Sequence, residues 1–515
     1  MNKTLFSNAL AVLPSPTGPA ASRADVVMAG DRIEAVLPAL SASPSASDVR
    51  AIDASRLLLT AGLVNGHLHS WDTYQKGCME NLPLEMAMAY LRPRKPVVLS
   101  ERQVYLRTMM VALEALRSGT TTVVDDMSLG QGLTRGQIEA ALQAYEDSGL
   151  RVLMGFSMID KAVVDSYPFV DECFDPELLK ALRALPRPDG EALLSLVRDL
   201  ARTRHPRSSR VSVLVAPSAP HRCSDEFLRR CRSLADELDL PLVTHCQETR
   251  LQLVTAQEFY GRSLVAQLDH LGFLGPKTSL IHATWLSRDD IARIRDRGAT
   301  VQYNPYSNAV IGSGLAPARE CLEAGINLSM GSDGSGILFG NHMLNSLCFG
   351  ATLSKIRSPD HTRWLSAAEV LRAATEGGAQ ALDLPIGRIE EGSKADLVAY
   401  KIDSIPFTPL NDPIRQLVYA EKGSSIDSVW IDGRQVMTQG RIGTVDEGAL
   451  ISETHSAHEA LSSQVLASNE DAAPFRDALF RITIKALGCP IDETVRPAWI
   501  EGAHGKFPSF GQGVN

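Results

Sequence analysis

The chain has 515 residues, 44% of them hydrophobic, enough for a barrel-sized core of about 250 residues plus an accessory domain. A formal net charge of −9 with no basic stripe argues against nucleic-acid binding, and the densest basic stretch, Arg202 to Arg210, reads as a solvated loop. No run reaches the ~18 apolar residues of a membrane span. The N-terminus lacks the apolar core of a signal peptide, and eight scattered cysteines without a CxxC pair suit reduced thiols, so a soluble cytoplasmic protein is expected.

From residue 1 to about 60, short β-like runs (Val26 to Met28, Arg32 to Val36) alternate with Pro-, Ser- and Ala-rich turns, and Leu40 to Val49 reads as a surface loop. Similar strands return late, at Asp396 to Tyr400, Ser428 to Ile431 and Gln435 to Met437, with a turn at Asp432-Gly433. The two β-rich ends, residues 1–60 with 385–450, predict one small composite β-sandwich. Between them, residues 61–384 alternate strand-like and helix-like stretches. Strands are expected at Leu59 to Val64, Thr120 to Val124, Val152 to Phe156, Val211 to Ala216, Pro241 to His245, Thr278 to His282, Thr300 to Tyr303 and Ile326 to Met330. Helices are expected near 101–118, 136–148, 191–203 and 225–237, among others. Such β-α units indicate an α/β fold with a parallel sheet, and eight strands close a (β/α)8 TIM-like barrel, whose active sites lie at the C-terminal strand ends. The extension 451–515 reads as helical over 453–485 and irregular from 486.

Several of these apolar runs end in metal-ligand residue types. The run from Leu57 leads into a Gly-bracketed turn, Ala61-Gly-Leu-Val-Asn-Gly-His-Leu-His-Ser70, where His67 and His69 are spaced to project from one face of an extended segment. Thr244-His-Cys-Gln-Glu248, Leu280-Ile-His282 and Ser329-Met-Gly-Ser-Asp333 close three more runs. A single histidine at a strand end is ordinarily a satisfied polar residue. Four such events in order, at the ends of successive strand-helix units, point to a catalytic metal centre.

These stretches resemble the amidohydrolase superfamily over roughly residues 20 to 440. They resemble more narrowly its branch of S-adenosylhomocysteine and guanine deaminases and triazine hydrolases such as atrazine chlorohydrolase. The resemblance rests on Gly62-Leu-Val-Asn-Gly-His-Leu-His69, His245-Cys-Gln-Glu248, Ile281-His282, Asn304-Pro-Tyr-Ser-Asn308, Gly312-Ser-Gly-Leu-Ala-Pro317, Gly331-Ser-Asp333 and Gly387-Arg-Ile-Glu-Glu-Gly-Ser-Lys-Ala-Asp-Leu-Val398. It implies one metal, zinc, held by His67, His69, His245 and Asp333, with His282 orienting the hydrolytic water or polarising the substrate. The fourth strand, Val213-Leu-Val-Ala-Pro-Ser218, has no lysine to carboxylate, which departs from the binuclear members and favours a mononuclear site. A homodimer or homotetramer acting on a small molecule is expected.

Neutral imidazoles with one carboxylate suit Zn2+, with Fe2+ or Mn2+ as alternatives. Such a metal lowers the pKa of bound water from about 15.7 toward ~7. Asp333 can both touch the metal and accept that water's proton. Glu248, three residues past His245, can protonate a ring nitrogen and later a leaving amine; the plainer reading makes it an acid at a helix N-terminus. The expected reaction is attack of metal-bound hydroxide on an sp2 carbon bonded to nitrogen, foremost the deamination of an amino-substituted N-heterocycle. Candidate substrate contacts are Trp71, Tyr74, Gln75 and Lys76 on the loop after the first strand, with His221 beyond the fourth. Deaminases of this branch usually carry Arg-Gly and then acidic residues on that loop, where this chain has Lys76-Gly77 and Glu80-Asn81. Asn304 is a further candidate, though with Asn308 it reads more readily as tying down its own loop.

The same metal site serves an amide, carbamate, urea or aryl-halide hydrolase, and the strand-end residues do not separate these from a deaminase. A barrel that has lost catalysis and serves in assembly is the non-enzymatic alternative. Such proteins lose metal ligands, and all five residues of the set are present here.

Overall fold

The computed structural model describes residues 3–16, 18–41, 49–93, 95–128, 133–186, 189–338, 340–492, 494 and 495. Residues 42–48 of the anticipated surface loop and 496–515 of the anticipated irregular tail lie outside them. The chain opens with five strands, β1 (Lys3–Leu13), β2 (Ala20–Ala29), β3 (Arg32–Pro38), β4 (Val49–Asp53) and β5 (Leu57–Ala61). Nine parallel strands or strand segments follow: β6 (Leu63–His69), β7 (Thr120–Asp126), β8 (Arg151–Gly155), β9 (Val211–Val213), β10 (Leu242–Cys246), β11 (Thr278–His282), β12 (Thr300–Tyr303), β13 (Leu328–Met330) and β14 (Asp333–Gly334). Four more close the order: β15 (Leu397–Lys401), β16 (Ile426–Ile431), β17 (Arg434–Thr438) and β18 (Arg441–Ile442).

Strands from both ends of the chain share one nine-stranded sheet, ordered β18-β17-β16-β15-β5-β1-β2-β3 with β4 also on β1. Its two halves meet where β15 runs antiparallel to β5. Phe6 of β1 packs edge to face on Trp430 of β16, with ring centroids 4.9 Å apart. The turn between β16 and β17 uses Asp432 and Gly433, both at positive φ, as a tight hairpin demands.

In the sequence, Leu59 to Val64 reads as the first barrel strand. The structure divides that run at Gly62, with β5 in the composite sheet and β6 in a parallel one. The cause is steric. The Gly62 N–H donates to Asp396 O at 2.9 Å, and a Cβ at Gly62 would fall 2.1 Å from Thr121 Oγ1. Only a bare backbone crosses between the sheets there. His67 and His69 therefore lie within β6 rather than in a turn after it.

The parallel strands form two sheets, β14-β6-β7-β8-β9 and β10-β11-β12-β13. β9 stops at Val213, short of the Ala216 expected from sequence, because the chain beyond it shares its hydrogen bonds between both neighbours. Leu214 N bonds Met154 O at 3.0 Å and Val215 N bonds Pro241 O at 3.0 Å, and Val215 forms a parallel bridge with Leu242. At the other side Ser332 N donates to His67 O at 3.1 Å. One apolar cluster gathers Val64, Val124, Leu153, Leu214, Val243 and Ile281 from strands of both sheets, with Ala379 and Leu382 beneath.

Helices cover this core, among them α1 (Leu84–Leu91), α2 (Glu101–Arg117) and α3 (Arg135–Ser148). α2 and α3 start in capping boxes, Ser100 with Gln103 and Thr134 with Gln137, so the first-turn N–H groups are satisfied by side chains. The C-terminal helix Glu447–Leu487 packs Phe475, Ala478, Leu479 and Ile482 into an apolar cluster with Ala89 of α1 and Phe174. Arg476 Nη1 also donates to Tyr90 OH at 2.9 Å. In the Arg-rich stretch, Arg204 and Arg210 are partly buried and pair with Glu146 at 2.9 and 2.8 Å, so that loop is anchored rather than simply solvated. All eight cysteines are free thiols. Among the described residues no helix is long and apolar enough to cross a membrane.

One ion-pair cluster fastens the two regions together. Arg151, at the start of β8, is buried and reaches Asp396 at 3.2 Å and Asp432 at 2.6 Å in the composite sheet. Removing one partner of such a set strands the other charges in a poorly solvated place. Arg151→Met is expected to lower stability by about 3–5 kcal/mol, read from urea denaturation followed by circular dichroism. A loss below about 1 kcal/mol, the scale of an exposed pair, would show that the cluster does not join the regions.

Candidate metal centre

β6, β10, β11 and β14 each deliver one part of a buried cluster. His67 and His69 share a face of β6, with ring centroids 4.6 Å apart. His245 comes from β10, its ring 4.8 Å from His67, and His282 from β11, 5.5 Å from His245. Asp333 opens β14 and lies beside all of these except His245: Oδ1 is 3.4 Å from the Nε2 atoms of His67 and His69, and Oδ2 is 3.7 Å from His282 Nε2. A Cβ at Gly66 would fall 2.3 Å from Gln302 Oε1, so glycine between Asn65 and His67 makes room for the strands opposite.

Hydrogen bonds set the ring orientations. His69 Nδ1 lies 2.7 Å from Asp126 O and His245 Nδ1 lies 2.8 Å from Ser218 O. A carbonyl only accepts, so both rings carry the proton on Nδ1 and keep an Nε2 lone pair for the cluster. His67 is fully buried, and neither ring nitrogen has a hydrogen-bond partner. Burying a polar ring without partners is costly unless something else binds it.

The electrostatics agree with a cation site. Burial pushes the His67 pKa down to about 4, against the pull of Asp333. Burial, with the field of its neighbouring histidines, holds His245 well below its ordinary value. Both rings are therefore neutral donors at pH 7. Burial also depresses His69, but Asp333, Asp126 and Asp72 outweigh it and raise the pKa. For Asp333 burial acts upward, yet the close approach of His67 at 3.4 Å and the fields of the histidines keep the carboxyl ionised, well below the usual range. Two overlapping sets, His67/His69/His245 and His67/His282/Asp333, have their donor atoms within 4.8 Å of one another. Nitrogen and carboxylate donors of this kind fit a divalent ion. His282 and Asp333 are held at φ values of 69° and 71°, backbone strain of the sort found at functional sites.

Glu248 stands beside the cluster, buried, with Oε1 3.5 Å from His282 Nε2. Burial raises its pKa to about 7, opposed by His282. It can therefore hold or release a proton at neutral pH. His282 Nδ1 rests 2.9 Å from Asn308 Oδ1, which fixes the ring with Nε2 toward Glu248 and Asp333.

His69, His245, His282, Asp333 and Glu248 line a cavity of about 520 Å3, open solvent at its mouth included. Its wall is apolar at Leu84, Met88, Leu91 and Ile311 and cationic at Arg92 and Arg222. Trp71 lines it, with a buried indole N–H that has no partner. The other anticipated substrate contacts point elsewhere. Tyr74 OH donates to Gln103 O at 3.0 Å, Gln75 Nε2 to Tyr90 O at 3.3 Å, and Lys76 Nζ pairs with Glu114 at 2.9 Å. His221 is buried outside the cavity lining, where its neighbour Arg222 stands instead. Asn304 is fully buried, its Nδ2 3.4 Å from His282 Nδ1 and not on the wall. The sequence gives no sign of Arg92, Arg222 or the apolar side of α1, because no spacing rule marks an arginine or a methionine that a loop folds inward.

A model of the amidohydrolase family matches residues 58–436 of the chain. The chain is 33% identical over 416 residues to a 5-methylthioadenosine/S-adenosylhomocysteine deaminase of Thermococcus kodakarensis, covering 81% of this chain and 90% of that protein. It is 31% identical over 415 residues to a 5'-deoxyadenosine deaminase of Methanosarcina mazei, covering 80% and 89%. Among solved structures, an adenosine deaminase from Xanthomonas campestris with bound zinc superposes with a TM-score of 0.76 at 29% identity, over 89% of this chain and 98% of that one. Atrazine chlorohydrolase from Arthrobacter aurescens TC1 complexed with zinc gives 0.78 at 23% identity, over 88% and 100%, a likeness of fold.

His67→Ala and His245→Ala are each expected to lower bound metal at least tenfold relative to the native chain, measured by elemental analysis after dialysis. Full occupancy in both would contradict the cluster as the binding site.

Proposed function

The chain belongs to the amidohydrolase family, and from that premise we propose that it is a metal-dependent aminohydrolase that deaminates an amino-substituted N-heterocycle. In this reading residues 61–384 form one closed (β/α)8 barrel, supported by the apolar cluster that spans both parallel sheets and by the bridge from Val215 to Leu242. Residues 1–60 and 385–450 form a composite β-sandwich. Phe6 and Trp430 sit on strands three apart in the sheet order, which a flat sheet would separate by about 14 Å; their contact at 4.9 Å supports a sheet folded over on itself. Residues 451–515 are an added C-terminal extension.

We assign one zinc ion to His67, His69, His245 and Asp333, on the nitrogen-oxygen donor set, the partnerless nitrogens of His67, and the zinc in two structural relatives. When bound, such an ion would acidify water toward a pKa of ~7. The side chains then divide the proton transfers. Asp333 takes a proton from the attacking water while Glu248 gives its proton to the ring nitrogen next to the reacting carbon. Oxygen adds to that carbon, producing a tetrahedral adduct. As the adduct collapses, its hydroxyl proton returns to Glu248, Asp333 protonates the departing amine, and ammonia and the carbonyl product leave. His282, locked by Asn308, accepts a hydrogen bond from the water and aims it.

The observation that carries this reading is Glu248, buried three residues past a metal-ligand candidate with Oε1 3.5 Å from His282 Nε2, where burial raises its pKa and one carboxyl can serve as acid and then base. The deaminase names of the relatives support the leaving group. Eight free thiols suit a cytoplasmic enzyme. Exposed Leu466, Phe480 and Ile484 on the C-terminal helix offer apolar surface for a homodimer or homotetramer.

The test is ammonia release from adenosine, 5'-deoxyadenosine, a pterin and an aminotriazine. Release from at least one ring, abolished by chelation and restored by Zn2+, is the expected result; amine or chloride release without ammonia would favour the other hydrolase class. Glu248→Gln is expected to retain zinc and lose about 10²–10⁴ in kcat, and wild-type turnover would remove Glu248 from the mechanism. Asn308→Ala is expected to lower kcat by about 10–100-fold with metal retained, since the His282 ring loses its anchor. Unchanged turnover would contradict that positioning role.

A further inference from the structure

The strongest unexplained feature is the pair of arginines in the cavity wall. Arg92 follows α1 and Arg222 follows β9, two segments far apart in the chain that converge on one cavity. Arg222 is only 8% exposed. Its one protein partner among the described residues is Ser218 Oγ, 3.2 Å from Nη1. Arg92 donates to Ser157 Oγ at 3.1 Å, and its Nε is buried with no partner.

Buried Arg151, by contrast, is matched with two carboxylates, Asp396 and Asp432. Arg92 and Arg222 form no ion pair among the described residues, and the acids around them are engaged elsewhere. Glu85 accepts from Thr249 Oγ1, Asp126 Oδ1 accepts from Ser157 N at 2.8 Å, and Glu248 faces Gln252 and His282. Burial and then repulsion from Arg222 push the Arg92 pKa down to about 10, still cationic at pH 7. Two guanidinium groups held near each other without a direct counter-ion are poorly compensated. Their fork geometry matches a planar oxyanion, and an anion placed between them relieves both charges.

We propose that Arg92 and Arg222 form an oxyanion subsite, so that the substrate is an amino-heterocycle bearing a compact oxyanion, a carboxylate or a phosphate, gripped by both guanidinium groups. The heterocycle lies against Leu84, Met88 and Trp71, and the anion held by the arginines fixes which ring carbon faces Glu248. The substrate part of this inference rests on the deaminase reading; the subsite itself does not.

The test is calorimetric titration of the zinc-loaded full chain with benzoate, phenyl phosphate and neutral benzamide, which needs no turnover. At least one anion is expected to bind tenfold or more tighter than benzamide. Arg222→Met and Arg92→Met should each cut that preference at least fivefold with zinc content unchanged, and Arg92→Met alone gives the answer should the other variant not fold. A stronger arginine-dependent grip on phenyl phosphate than on benzoate supports the subsite and assigns it to phosphate; the reverse assigns it to carboxylate. An anion preference that neither substitution alters means that the anion sits on the metal, and this overturns the proposal, as does the absence of any preference. Failure of every ring to release ammonia would overturn the deaminase reading and leave the titration result standing.

Discussion

Four donors, His67, His69, His245 and Asp333, must be brought from three strands to one buried point, with their lone pairs facing each other. Nothing in a folded chain favours that arrangement in itself, since each imidazole loses water and His67 gains no hydrogen bond in return. The surrounding structure pays for it with fixed partners. Backbone carbonyls of Asp126 and Ser218 hold His69 and His245, Asn308 holds His282, and Gly334 N with Ser307 holds Asp333. The positive φ values of His282 and Asp333 belong to the same cost. A bound cation is the one partner that satisfies every donor at once.

The rest of the molecule can be understood as support for that point. The composite sheet is fixed to the parallel strands through Arg151 and crosses to them at Gly62, a few residues before the first histidine. The C-terminal helix, beyond the region matched by the family model, packs on α1, whose other side supplies Leu84, Met88 and Leu91 to the cavity. The C-terminal helix thus backs one wall of the cavity beside the His/Asp cluster.

The sequence reveals the parts of this that follow a period or a strand end. Apolar runs ending in His67, His69, His245, His282 and Asp333 are visible because barrel strands carry their chemistry at their C-terminal ends. Strand positions within the core are legible to within a few residues for the same reason. The division at Gly62 is not, because it depends on the proximity of Thr121, nearly 60 residues away. The loop side chains are harder still. Tyr74, Gln75 and Lys76 are as polar and as well placed in sequence as Trp71, yet three of the four turn toward α1 and α2. His221 and Arg222 are adjacent, and only the fold decides that the arginine faces the cavity.

The most direct measurement is an anomalous difference map from crystals of the purified protein, collected at the zinc, iron and manganese absorption edges. The account predicts a single strong peak within about 2.0–2.2 Å of imidazole nitrogens of His67, His69 and His245 and a carboxylate oxygen of Asp333. A map with no peak among these side chains, or an ion bound at another place while they stay apart, would contradict it.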